Sequence, residues 1–144
     1  MTKTKDMTRT RDMTKTKDMT KTKDQLTPDE INRYWDTYFA TVDTLMTTQS
    51  KLQALEDNAT DLGERSGYRA DRLRVEADIE LMRAKRVAFN ANRSPINPPD
   101  QATVDTILVL AKEVADKAIE PAQAAAIVQI AANAMEEFNK IQRR

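Results

Sequence analysis

Residues 26–62 have the sequence LTPDEINRYWDTYFATVDTLMTTQSKLQALEDNATDL, which combines a helix start with a long apolar stripe. Thr27 is a predicted N-cap, Pro28 suits the first helical position, and Glu30 completes a capping box. Apolar residues then recur at intervals of three and four, as in a coiled-coil seam. We therefore predict a first helix over residues 28–62. Its stripe contains Ile31, Trp35, Tyr38, Val42, Leu45 and Leu52, with Gln49 as a polar exception.

A turn and a second helix are predicted next. Both glycines of the chain lie in residues 63–67, and glycine commonly ends a helix. We expect the second helix to cover residues 68–90 and to run antiparallel to the first. It carries two apolar stripes, which imply two packing neighbours. One stripe contains Val75, Ile79, Met82 and Phe89, and the other contains Leu73, Ala77, Leu81, Ala84 and Ala88.

The last third of the chain predicts a smaller helical unit. Three prolines within residues 93–99 predict an extended linker. Residues 100–144 then predict a pair of helices separated at Glu120 and Pro121, although a single kinked helix over residues 100–142 is the alternative. The predicted fold is all-α: a long antiparallel hairpin (residues 25–92) plus two shorter C-terminal helices in an up-and-down bundle.

Residues 1–24 form a low-complexity tail of four hexads, MTKTKD, MTRTRD, MTKTKD and MTKTKD. A period of six residues places successive methionines on different faces of a helix, so it creates no apolar stripe. We predict a flexible tail that carries eight basic and four acidic residues. Its basic residues, among them Lys3, Lys5, Arg9 and Arg11, are candidates for electrostatic binding.

Charge is segregated along the chain, although the net charge is zero. Residues 25–62 contain two basic and seven acidic residues, whereas residues 63–93 contain eight and five. The two long helices should therefore attract each other, and Arg72, Arg83 and Arg86 are candidate electrostatic residues. Because this attraction explains their charge within the chain, we regard nucleic acid as a less favoured partner.

The composition also excludes several kinds of chemistry. The chain has no Cys and no His, so it cannot form a disulfide, a zinc finger, a thiol nucleophile or a histidine base. Two glycines are too few for a Gly-rich phosphate loop. We therefore predict a protein without enzymatic activity, cofactor or metal. We also expect neither a transmembrane segment nor a signal peptide, and we favour a cytoplasmic location.

Four of the seven aromatic residues lie within six positions: Tyr34, Trp35, Tyr38 and Phe39. On a helix they form a wide patch that one seam cannot bury completely. The patch is either a plug in the core of the bundle or a partner-binding site, since Trp and Tyr dominate binding hot spots.

These features favour a helical interaction or assembly protein. We expect it to self-associate into a homo-oligomer, or to dock on a larger protein, through apolar and aromatic helix faces. One alternative is a small inhibitor, immunity or chaperone-type protein that binds one client. A second alternative is a binder of nucleic acid or anionic membranes that uses the basic tail.

Overall fold

A computed structural model describes residues 20–143, and within this part of the chain it contains four α-helices. They are α1 (Pro28–Asn58), α2 (Leu62–Asn90), α3 (Gln101–Asp116) and α4 (Ala124–Ile141). Over residues 20–143 no β-strand forms, and the only bridge pairs Lys21 with Ile96. The predicted all-α fold, a long hairpin plus two shorter helices, is confirmed.

The N-terminal boundary of the bundle differs from the predicted one. Residues 1–19 lie outside the described residues, so their predicted flexibility stays a prediction. Residues 20–24 were predicted to belong to the tail, but Lys21 pairs with Ile96 through two main-chain hydrogen bonds of 2.8 Å. The end of the fourth hexad is therefore part of the bundle.

The start of α1 agrees with its predicted capping box. The Thr27 hydroxyl accepts a hydrogen bond from the Glu30 amide at 3.1 Å, and the Thr27 amide donates to the Glu30 carboxylate at 2.9 Å. Pro28 is the first helical residue, where its missing amide hydrogen has no cost. The sequence therefore fixes this helix terminus by local chemistry alone.

The predicted glycine turn is wrong. α1 ends at Asn58 and α2 begins at Leu62, so Gly63 and Gly67 lie inside α2 and neither has a positive φ. Asp61 starts α2 instead, because its side chain accepts a hydrogen bond from the Glu64 amide at 2.9 Å. A side-chain cap starts a helix without any left-handed residue. An exposed glycine inside a helix costs only about 1 kcal/mol, which the hairpin tolerates.

α1 and α2 pack as the predicted antiparallel hairpin. The Tyr34 ring stacks on the Phe89 ring at one end, with centroids 3.8 Å apart, and Gln49 donates to Glu76 at 2.9 Å near the middle. One apolar stripe of α2 faces α1 and is buried, and it contains Val75, Ile79, Met82 and Phe89.

α1 also packs against α3, through a stripe of buried threonines. Arg33 donates to the Pro99 carbonyl at 2.8 Å and Lys51 to the Lys117 carbonyl at 2.5 Å, and these two acceptors flank α3. The threonines lie on the same face of α1, between Arg33 and Lys51, so they face α3. Each hydroxyl donates to a carbonyl of its own helix, which leaves no buried hydroxyl unpaired. The stripe contains Thr37, Thr41, Thr44 and Thr48, all 0% exposed.

α3 and α4 are two separate helices rather than one kinked helix. α3 ends at Asp116, and a short 3-10 helix, Pro121–Gln123, precedes α4. Proline at this position cannot supply the amide that a continuous helix would need. α4 then packs against α1 and α3 and also touches α2, so that α1 and α4 each contact all the other helices among residues 20–143.

Candidate interaction surfaces

Two of the four predicted patch residues belong to the core. Tyr34 is 0% exposed and Tyr38 is 2% exposed, and both rings lie within about 6 Å of the Phe138 ring on α4. Burial raises the pKa of both hydroxyls above the ordinary value of tyrosine. Tyr34 and Tyr38 thus plug the bundle, which leaves Trp35 and Phe39 as the accessible part of the patch.

Trp35 and Phe39 form an aromatic strip on the outer edge of α1. Their rings stack with centroids 5.7 Å apart, and Phe39 is 58% exposed while Trp35 is half-buried. Met46, two turns further along, is also exposed and lines a groove of about 400 Å³ between α1 and α2. We use the name aromatic strip for Trp35, Phe39 and Met46.

The predicted electrostatic residues have different surroundings. Arg72 is mostly buried and forms ion pairs of 2.8 Å with both Glu56 and Glu76. Arg83 pairs with Glu80 on the surface of α2, and Arg86 is exposed near Tyr38. The tail residues lie outside the described part of the chain, namely Lys3, Lys5, Arg9 and Arg11.

Glu56 is the centre of an ion-pair cluster near the tip of the hairpin. Its carboxylate is buried and accepts hydrogen bonds from Arg72 at 2.8 Å and from Arg69 at 3.0 Å. These two guanidinium groups, Arg72 first, hold the pKa of Glu56 below its ordinary value. Hydrogen bonds from Gln49 and Arg72 likewise hold the pKa of Glu76 below its ordinary value. The segregated charges of the two helices are thus in contact at this site.

The second apolar stripe of α2 faces outward. Leu73 is 51% exposed and Leu81 is 46% exposed. Ala77, which lies between them, and Ala84, which follows Leu81, are exposed as well. Ala70 continues the same stripe towards the start of the helix. We call these five residues the outer stripe. The sequence pattern predicts a second packing neighbour for α2. Within residues 20–143, α4 lies beside one end of the stripe, where Leu81 lines a groove with Glu136 and Lys140, but the stripe remains exposed.

A buried polar network at the other end of the hairpin was not predicted. The Gln142 side chain accepts from the Tyr34 hydroxyl at 2.7 Å and donates to both the Lys85 carbonyl and the Ser94 hydroxyl at 2.9 Å. Lys85, only 2% exposed, donates from Nζ to the Gln142 carbonyl, and burial lowers its pKa. Sequence periodicity gives no signal for such a network, because its members are polar and far apart in the chain.

Two further observations concern other kinds of site. Residues 20–143 contain no group of three or more acidic side chains arranged to hold a metal ion. In the same part of the chain, no helix has both the length and the apolar character that crossing a bilayer requires.

The described residues form a small helical bundle whose exposed apolar residues include the outer stripe and the aromatic strip. No protein-family model matches the chain, and no curated protein or solved structure matches it either.

Proposed function

We propose that this chain is a non-enzymatic assembly protein that self-associates through the outer stripe of α2. The observation that carries the proposal is the exposure of Leu73 and Leu81 on a helix whose main packing contact, with α1, is made by its opposite face. Single exposed leucines are ordinary, but a continuous apolar stripe along a helix marks a binding surface.

The spacing of the outer stripe supports a second copy as its partner. Ala70, Leu73, Ala77, Leu81 and Ala84 follow one another at intervals of three and four, the pattern of a coiled-coil seam. An antiparallel copy centred on Ala77 would place Leu73 opposite Leu81 and Ala70 opposite Ala84. Such symmetry is typical of homodimers, in which one surface contacts itself.

Charged residues beside the stripe fit the same arrangement. Asp78 is partly buried, and it forms no ion pair among residues 20–143. Arg74 lies one turn before it, attracts it electrostatically within the same chain, and forms a long ion pair of 3.4 Å with Asp71. In the antiparallel pairing, Arg74 of one copy would lie near Asp78 of the other. Opposite charges at such flanking positions favour the orientation in which they meet.

Light scattering tests this proposal. We expect the full chain to be a dimer and the Leu73→Glu/Leu81→Glu variant to be a monomer with unchanged helicity, because four carboxylates would be forced together in the interface. The matched control is Leu108→Glu/Val109→Glu, which changes two similarly exposed apolar residues of α3 and should leave the dimer intact. A monomeric wild-type chain at micromolar concentrations would overturn the proposal.

The aromatic strip supports a second candidate function, docking on a different protein. Phe39 is well exposed and stacked on Trp35, and aromatic anchors of this kind dominate binding hot spots. Asp36 and Asp43 are exposed on the same side of α1, so a client with basic and apolar residues fits best. Phe39→Ala would then abolish binding of the client without changing the molar mass of the free chain.

A further inference from the structure

Residues 20–24 of the fourth hexad are bound to the bundle through an isolated bridge at Lys21 and the short 3-10 helix Lys23–Gln25. The main chain of Lys21 exchanges two hydrogen bonds of 2.8 Å with Ile96 in the linker between α2 and α3. The Lys21 ammonium pairs with Glu30 at 3.2 Å, and the Lys23 ammonium donates to the Asn90 side chain at 3.0 Å. Peptides commonly bind through main-chain hydrogen bonds of this kind to an exposed main-chain edge.

The receiving surface is built for this segment. Asn92 has a φ of 57°, a left-handed conformation in which few residues other than glycine and asparagine are stable, and its side chain accepts from the Asp24 amide at 3.0 Å. Ile96, which pairs with Lys21, is 0% exposed. The site therefore contains the main-chain edge at Ile96 and the Glu30 carboxylate, which binds the Lys21 ammonium. It also contains the side-chain oxygens of Asn90 and Asn92, which accept from the Lys23 ammonium and the Asp24 amide. We call it the hexad site: Glu30, Asn90, Asn92 and Ile96.

The same peptide sequence occurs twice more in the chain, and a variant with two arginines occurs once. The third hexad, residues 13–18, is identical to the fourth, so Lys15, Lys17 and Asp18 correspond to the residues that the hexad site holds. In the second hexad Arg9 and Arg11 take the place of the two lysines, and in the first hexad they are Lys3 and Lys5. Every side chain that contacts the hexad site thus has an equivalent of the same charge in each repeat.

One contact distinguishes the fourth hexad from the others. The Thr22 amide donates to the Gln25 side chain at 2.9 Å, in a small capping box at the start of the 3-10 helix Lys23–Gln25. Only the fourth hexad is followed by Gln25, since the other three are followed by methionine. This contact favours the fourth hexad as the bound segment, while the side chains that make the remaining contacts have equivalents in every hexad.

We propose that the hexad site is a binding site for a Thr-Lys-Thr-Lys-Asp segment in the conformation of residues 20–24, and that residues 13–18 of the same chain bind there whenever the fourth hexad leaves it. The exchange needs only a six-residue connection, residues 19–24, between Asp18 and Gln25. Closing such a short loop is easy, and a tethered ligand has an effective concentration in the millimolar range. The other hexads of the tail are then alternative ligands for the hexad site. This gives the Lys and Arg residues of the tail a function within the chain.

Proline substitutions test the proposal in the full chain. Lys21→Pro removes the amide that donates to Ile96 and the ammonium that pairs with Glu30. We expect the third hexad to replace it, so that deuterium exchange of the Ile96 amide stays within about threefold of the wild-type rate. Adding Lys3→Pro, Arg9→Pro and Lys15→Pro disables all the repeats. The Ile96 amide of this fourfold variant should exchange at least about tenfold faster.

Two controls make the outcome specific. The triple variant without Lys21→Pro should behave as the wild type, because its resident hexad is intact. The Leu45 amide, in the buried middle of α1, should exchange slowly in every variant and so report that the bundle is folded. If proline at position 21 unfolds the chain, Lys21→Glu serves instead, because it opposes Glu30 and leaves the main chain unchanged. The matching reserve substitutions are then Lys3→Glu, Arg9→Glu and Lys15→Glu.

Each possible result of the Ile96 exchange experiment either supports or overturns the proposal. Equal loss of Ile96 protection in the single and the fourfold variant would overturn the proposal, since the other hexads would then be unable to bind. Protection in the single variant that increases with protein concentration would also overturn it, because the bound hexad would come from a second molecule. Protection that is independent of concentration supports it.

Discussion

Gln142 connects three parts of the bundle through one buried side chain. It accepts a hydrogen bond from Tyr34 of α1 and donates to the Lys85 carbonyl of α2 and to Ser94 in the linker. Because Gln142 is 0% exposed, water cannot replace a missing partner. The residues just beyond α4 are therefore fixed by hydrogen bonds rather than by apolar contacts.

Removal of one hydroxyl should show the importance of this network. Tyr34→Phe leaves the ring stack in place but deprives the Gln142 carboxamide oxygen of its donor. We expect the free energy of unfolding to fall by about 1–2 kcal/mol in a denaturant titration. Tyr68→Phe is the matched control, because Tyr68 is only partly buried and its hydroxyl makes no hydrogen bond within residues 20–143. Equal losses in both variants would contradict a specific role for the network.

At the scale of elements, α2 contains two glycines, Gly63 and Gly67, although neither lies in a turn. A β-carbon added at Gly67 would meet no atom within 4 Å, and the backbone there is helical. Gly67→Ala should therefore raise the free energy of unfolding by about 0.5–1 kcal/mol, because alanine loses less backbone entropy on folding. At Gly63 the added carbon would lie 3.2 Å from the Asp61 carboxylate that caps α2, so Gly63→Ala should gain less. Thermal and denaturant unfolding measure both, and a destabilising Gly67→Ala would indicate a turn at that position.

The failed turn prediction shows where sequence patterns are informative. The caps at Thr27 and the break at Pro121 follow from local chemistry, and both were predicted correctly. The turn between α1 and α2 ends at Asp61, which caps the start of α2. The sequence contains this capping residue, but the two nearby glycines led to a predicted turn at residues 63–67. Glycine permits a turn without requiring one, so its presence alone could not decide the boundary.

Burial was harder to predict than helix boundaries, because polarity and burial do not coincide in this chain. The threonines of α1 satisfy their hydroxyls within their own helix and can then pack against α3 as small apolar residues. The four neighbouring aromatic residues divide between core and surface, with Tyr34 buried and Phe39 exposed. Periodicity indicates which residues share a face, but only the positions of the other helices decide which faces are covered.

At the scale of the whole molecule, α2 is attached mainly through its second half. Its first fully buried residue is Val75, and within residues 62–74 only Tyr68, Asp71 and Arg72 are partly buried. That half of the helix is held to α1 by the ion pairs of Glu56 with Arg69 and Arg72. Few apolar contacts and exposed backbone are the features of a region that opens before the rest.

Acid should release this half of α2 selectively. The pKa of Glu56 is lowered from 4.5 by its hydrogen bonds with Arg72 and Arg69, so its stabilising effect is complete above that value and is lost as the pH falls through the lowered pKa. We expect amide exchange over residues 62–74, corrected for its intrinsic pH dependence, to accelerate between pH 6 and pH 3 more than exchange in α4. Glu56→Gln should already exchange faster at pH 6 and should lack this extra acceleration, which separates Glu56 from the other carboxylates that titrate. A uniform acceleration of all four helices in the wild type would mean that the bundle opens as one unit and that the ion pairs do not hold the hairpin tip separately.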